Sequence, residues 1–161
     1  MKDIDSLLRS FIYASKGFAW MVGHERNFRI HITCLGYMLY FLCRYDFFVL
    51  TKVEVAILVL VSALVIGGEM INTGVEKADD AFSREKKYEI KVSKDVSAGA
   101  VLVFAIAAVV IGVLLLWQPA AFEALFNYYK ENIGKLVLLV LSLIVSLVFI
   151  FKFDFNKREK E

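Results

Sequence analysis

The sequence is short of the residues that many enzyme chemistries depend on. The two histidines and two cysteines in 161 residues do not fall at zinc-cluster spacing, and two histidines leave no plausible Ser-His-Asp triad. Neither a Gly-x-x-x-x-Gly-Lys-[Ser/Thr] phosphate loop nor a Gly-x-Gly-x-x-Gly turn occurs. Cys34 and Cys43 fall in one apolar stretch and read as small apolar fillers, not as a disulfide framework. The only proline, Pro119, follows Trp117-Gln118 and reads as the stop of an apolar run. No cleavable signal peptide is expected, because the first residues are amphipathic. Internal repeats and low-complexity tracts are also missing. Net charge is only +2, and nucleic acid is not an expected partner.

What is abundant is apolar surface. Hydrophobic residues make up 59% of the chain and mean hydropathy is +0.63, which places it among all-helical integral membrane proteins rather than ordinary globular ones. Val96 to Trp117 is 22 residues without a charge, enough to cross about 30 Å of hydrocarbon. Val55 to Val75 is 21 residues whose only charge is Glu69. Leu136 to Phe151 is 16 uncharged residues between Lys135 and Lys152, whose stems can snorkel to an interface. Ile30 to Cys43, 14 residues with His31 near its start, is the weakest span and by length alone also fits a re-entrant or interfacial segment.

Basic residues collect in Met1 to Arg29, in the connection from Lys77 to Lys94, and in the tail after Lys152. With four crossings, all three lie on the cytoplasmic side. Residues 4–22 place Ile4, Leu7, Leu8, Phe11, Phe18 and Val22 on one helical face, the pattern of a helix lying in the membrane surface. Gly23 is expected to bend or break it. The polar cluster Glu25-Arg26-Asn27-Phe28-Arg29-Ile30-His31 follows at the mouth of the first span; lipid anchoring explains its arginines but not Glu25. Ser97-Ala98-Gly99-Ala100 offers a small-residue surface for close helix approach, and Ala120 to Lys135 reads as an outer amphipathic loop.

The most informative stretch follows the apolar run ending at Gly68. Glu69, Asn72, Thr73, Glu76 and Asp80 stand at helical offsets 0, 3, 4, 7 and 11, which puts them on one face. A carboxylate near bilayer depth costs a few kcal/mol and is rarely there without a partner or a task. Carboxylates of this kind suit Mg²⁺, which takes one or two protein oxygens together with substrate phosphates. A spare carboxylate can accept the proton of an attacking alcohol, and nearby lysines can balance nucleotide charge. The residues alone therefore fit a lipid-alcohol kinase, and also a non-enzymatic membrane protein with a carboxylate-lined ion or proton pathway. Val55 to Gly68 offers only Ser62 as a polar step, which disfavours the pathway.

Glu69-x-x-Asn72-x-x-x-Glu76-x-x-x-Asp80, followed by Lys94-Asp95-x-x-x-Gly99-Ala100-Val101-Leu102, resembles the signature of the small prokaryotic diacylglycerol kinase and undecaprenol kinase family. Glu25-Arg26-Asn27-Phe28-Arg29-Ile30-His31 is similar to its first-span motif, and the resemblance covers about residues 6–117. It implies a surface helix and interfacial motif over 1–29 and a three-span kinase core over 30–118; the outer loop, extra transmembrane helix and tail over 119–161 depart from the minimal family core, which lacks a fourth span. It further implies a homotrimer with shared active sites in the bacterial inner membrane, and the basic clusters with four crossings put both termini and the 77–94 loop in the cytoplasm. Transfer of the ATP γ-phosphate to a membrane lipid alcohol is the implied reaction. Glu69 would be the general base with Asn72 beside it, and Glu25 and Glu76 would hold Mg²⁺. Lys94, Asp95, Glu85 and Tyr13 would contact the nucleotide, with Asp80, Asn27 and Arg29 in support. His31 stands where the diacylglycerol-using branch carries an acidic residue, so the motif is more like that of the undecaprenol-using branch.

Overall fold

The computed structural model describes residues 2–82 and 88–152. Among them are six helices and no strand: α1 (Lys2–His24), α2 (Arg26–Arg44), α3 (Lys52–Phe82), α4 (Tyr88–Leu116), α5 (Pro119–Glu131) and α6 (Ile133–Lys152). Helices α3, α4 and α6 are long and apolar enough to cross a membrane. The chain is thus an all-α integral membrane protein. Helix α2, with Arg26, Arg29 and Arg44 in its 19 residues, is less apolar, but its length of about 28 Å at 1.5 Å per residue matches a hydrocarbon core.

Side-chain contacts give the directions. His31 of α2 meets Glu69 of α3, Asn72 of α3 meets Ser97 of α4, and Tyr37 of α2 meets Ser142 and Ser146 of α6. Helix α2 therefore runs antiparallel to both α3 and α6, with α4 antiparallel to α3. Glu25, Arg29, Glu69, Asp80 and Lys94 gather at one end of the bundle. Arg44, Lys52, Lys130 and Lys135 lie at the other.

Local chemistry explains the junctions. Thr51 and Glu54 form a capping box for α3: Glu54 Oε2 accepts from the Thr51 N–H at 2.7 Å, and Thr51 Oγ1 accepts from the Glu54 N–H at 3.3 Å. Gln118 ties this corner to the end of α4, with Val49 N–H donating to its Oε1 and its Nε2 donating to the Val49 and Leu115 carbonyls. Where a loop was expected after Pro119, α5 forms instead. Proline at the first helical position starts a helix, since its missing N–H would have no intrahelical partner there. A ladder of hydroxyls from Tyr40 through Tyr45 to Tyr129 pins α5 to the end of α2. Burial, then its bonds to Tyr129 and Tyr40, push the Tyr45 hydroxyl well above the ordinary tyrosine range.

One expectation shifts by two residues. Gly23 does not break the surface helix; it is buried within α1. The break comes at Glu25, in an extended conformation of φ −107° and ψ 113° that starts α2. Of the small-residue stretch around Gly99, Ser97 meets Asn72 of α3 while Ala98, Gly99 and Ala100 remain exposed within the single chain. Within the chain the tight approach of α3 and α4 is at Gly68, where a Cβ would lie 2.9 Å from Phe104 of α4. A side chain there would hold the two spans apart.

Candidate active site

The carboxylate face of α3 runs from interior to solvent along the helix. Glu69 is 6% exposed, and Asn72 and Thr73 are also buried. Glu76 is half-buried, and the Asp80 side chain is 62% exposed. Glu69 is the deepest carboxylate because Gly68, one residue earlier, brings α4 close while α2 covers it from the other side. His31 Nε2 stands 3.5 Å from Glu69 Oε1.

Asn72 is fixed on both sides. Its Oδ1 accepts from Ser97 Oγ at 2.6 Å, and its Nδ2 donates to Glu76 Oε1 at 3.0 Å. The hydroxyl of α4 thus sets the amide so that its N–H groups turn toward the carboxylates. One turn further out, Lys94 Nζ donates to Asp80 Oδ1 at 2.5 Å, a bond that joins α3 to α4. This exposed pair contributes little to stability, so an anionic ligand can compete for Lys94.

Glu25 sits at the α1–α2 junction, and burial pushes its carboxyl above the usual 4.5. Lys77 pulls it down, whereas the negative charges of Glu76 and Glu69 push it up and His24 pulls it down again. Three carboxylates from two places in the chain therefore share one electrostatic neighbourhood. Trp20 stacks on His24 at 4.4 Å, and Lys77 Nζ lies 5.3 Å over the Trp20 ring, which brings a cation from α3 to the same junction.

Beside Glu69 opens a cleft of about 300 Å³, with Asn27, His31, Glu69 and Asn72 on its polar side and Ala98, Val101, Leu102 and Ala105 opposite. It shares Ile30, His31 and Ala105 with a second, almost wholly apolar cleft of about 390 Å³ that reaches Leu116. The two form one groove along α2, α3 and α4. From Ala98 to Leu116 it follows α4 for roughly 27 Å at 1.5 Å per residue.

The remaining expected site residues are dispersed. Tyr13 is exposed on α1, with Lys16 6.0 Å from its ring centre. Asp95 is exposed on α4. Arg29 is buried and bonds to two backbone carbonyls, those of Val22 and Ile150. Glu85 lies outside the described residues. Ser97, Lys77 and Trp20 join the neighbourhood without having been expected there. Their partners are 25 or more residues distant or sit on another helix, a relation that helical spacing does not carry.

Among the described residues, no three His, Cys, Asp or Glu side chains converge closely enough to hold a metal ion by themselves. Mg²⁺ does not require that. It binds through one or two carboxylates and completes its shell with water and phosphate oxygens. Asp79 Oδ2 is buried without a hydrogen-bond partner among the described residues, and the crowding of negative charge around Glu25 favours a cation there.

Helices long and apolar enough to cross a membrane, a buried carboxylate at the head of an apolar groove, and further carboxylates and a lysine on the way to solvent define an integral membrane protein with a polar site at one end of its bundle. Residues 12–116 match the family model described as prokaryotic diacylglycerol kinase. A diacylglycerol kinase of Synechocystis is 40% identical over 115 residues, 71% of this chain and 64% of that protein. An undecaprenol kinase of Bacillus subtilis is 30% identical over 118 residues, 70% of this chain and 89% of that protein. The chain belongs to the prokaryotic diacylglycerol kinase family. It spans less than two thirds of the Synechocystis relative, and no solved structure matches it. The match ends on the last residue of α4, leaving α5 and α6 outside it.

Proposed function

We propose that the protein transfers the γ-phosphate of ATP to the hydroxyl of a membrane lipid, undecaprenol first and diacylglycerol next. The observation that carries this reading is the position of Glu69, buried yet lining the polar head of an apolar groove. A lipid alcohol lying in that groove brings its O–H to a carboxylate. Glu69 accepts the proton as the lipid oxygen bonds to the γ-phosphorus and the bond to the bridging oxygen breaks, releasing ADP. His31 and Asn72 hold the base and its surroundings in place. Glu25 and Glu76 would hold Mg²⁺, which neutralises charge on the phosphates. Lys94, released from Asp80, would meet the nucleotide along with Asp95, Tyr13 and Glu85. The order of lipids follows the His31 form of the motif, and both kinds of kinase occur among the relatives.

The groove is the substrate's track in this reading. Ala105 faces both clefts, so Ala105→Trp should raise the lipid KM roughly tenfold or more and leave the nucleotide KM unchanged. An unchanged lipid KM would remove the groove from the substrate's path. An ion pathway is disfavoured by the same groove. Its one hydroxyl on α3, Ser62, donates to its own helix at Leu58 O (2.8 Å) and offers no polar step.

The end of the bundle that carries Glu25, Glu69 and Lys94, with both termini and the 77–94 connection, faces the cytoplasm of a bacterial inner membrane. Three copies of the chain assemble through the apolar faces left exposed on α3 and α4, sharing active sites. Reporters joined after Glu161 and within 84–91 should read cytoplasmic, and one near Asn127 external. An external C-terminus would mean that α6 does not cross.

A further inference from the structure

Arg29 is 5% exposed, so its charge needs partners, and it finds them in the backbone carbonyls of two other helices. Its Nε donates to the Ile150 carbonyl at 3.2 Å and its Nη1 to the Val22 carbonyl at 3.1 Å. Val22 is in the last turn of α1, where carbonyls lack intrahelical donors and carry the negative end of the helix dipole, which a cation offsets. Ile150 is among the last described residues of α6. One guanidinium therefore closes two helices onto α2, a task that suits its rigid fork of donors.

Glu25 lies between these anchors. Its N–H donates to the Met21 carbonyl at 2.9 Å, and its carbonyl accepts from the Arg29 N–H at 3.2 Å. A second clamp holds the same pair of helices farther along: the Tyr37 hydroxyl bonds Ser142 and Ser146 of α6, each at 3.0 Å. Tyr37 is eight residues from Arg29, about 12 Å along α2. It lines a different cleft, between α2 and α6.

We infer that α6, which lies outside the matched family region, is a strut of the active site. Through Arg29 it locks the α1–α2 junction and so holds the Glu25 carboxylate in place. Arg29 is then a positioning residue and does not touch phosphate. The inference rests on the kinase reading and on Glu25 as a metal-holding residue.

The test uses the full chain in detergent micelles, with Mg²⁺ titrated against the thermal-unfolding shift produced by a non-hydrolysable ATP analogue. Loss of a group that orients a metal ligand costs roughly 10- to 100-fold in metal affinity. Arg29→Met should raise the half-saturating Mg²⁺ by that much, and Tyr37→Phe, remote from the site, by a smaller factor in the same direction. The double variant should be no worse than Arg29→Met alone, because both act through the seating of α6. Arg29→Lys should resemble Arg29→Met, since an ammonium lacks the rigid planar fork whose Nε and Nη1 reach the two carbonyls from separate atoms. In turnover assays the lipid KM should stay within about twofold of wild type, as expected for a change confined to one subsite.

A silent Tyr37→Phe, effects of the two variants that multiply, or an Arg29→Lys that behaves as wild type would each overturn the inference; the last would point to a direct phosphate contact. An equal rise in the lipid KM would overturn it as well, by showing general loosening. If Arg29→Met fails to fold, Tyr37→Phe and Arg29→Lys decide the matter. If the wild type shows no stabilisation by Mg²⁺ with nucleotide, the kinase reading itself falls and takes the strut with it.

Discussion

Glu69→Gln is expected to lower turnover by a factor of about 10² to 10⁴, the usual cost of losing a general base. The substitution preserves shape and can keep a hydrogen bond to His31, but an amide cannot take up the proton of the lipid alcohol. Nucleotide binding should hardly change, because Glu69 is 6% exposed whereas the lysine expected at the phosphates pairs with Asp80, whose side chain is 62% exposed. The variant should be at least as stable as the parent, since a buried amide is less costly than a buried charge. The measurement is kcat at saturating lipid and Mg-ATP, with a thermal-unfolding curve beside it. A turnover within a few-fold of wild type would move the base elsewhere.

Glu76→Gln should act on the metal and not on the base. Asn72 Nδ2 donates to Glu76 Oε1 at 3.0 Å, and glutamine Oε1 can still accept that bond, so the fold and the set of Asn72 are preserved. What is lost is one of two charges that favour a divalent cation. The Mg²⁺ concentration for half-maximal activity should rise by at least tenfold, given that even groups behind the metal ligands cost 10- to 100-fold. Glu25→Gln should do the same, with the neighbouring like charge removed as well. If neither variant alters the Mg²⁺ dependence, Glu25 and Glu76 do not hold the metal.

The parts of the site that follow from local rules were legible in the sequence. Glu69, Asn72, Thr73, Glu76 and Asp80 share a face because a helix repeats every 3.6 residues, and their passage from buried to exposed follows from the charge-free run before them. The spans were legible for the same reason. Partners across the fold were not. His31 meets Glu69 across 69 − 31 = 38 residues, Ser97 fixes Asn72 across 25, and Arg29 reaches Ile150 across 121. Arg29 in particular was expected in support of the site from its place in a motif, and its Nε and Nη1 go to two backbone carbonyls, those of Ile150 and Val22. Helix α5 was hidden by Pro119, which reads as a stop when it follows an apolar run and as a first helical residue when an amphipathic segment comes after it. The shift of the break from Gly23 to Glu25 arises because a small buried residue suits a crowded helix junction as well as it suits a turn.

The central claim is phosphoryl transfer to a lipid alcohol, and one measurement addresses it directly. The purified wild-type chain is incubated in mixed micelles with γ-labelled ATP and Mg²⁺, against undecaprenol, diacylglycerol and ceramide at matched surface concentration. Label should pass into the lipid phase only when Mg²⁺ is present, fastest with undecaprenol and more slowly with diacylglycerol. Label that stays in the aqueous phase with every lipid alcohol would contradict the account.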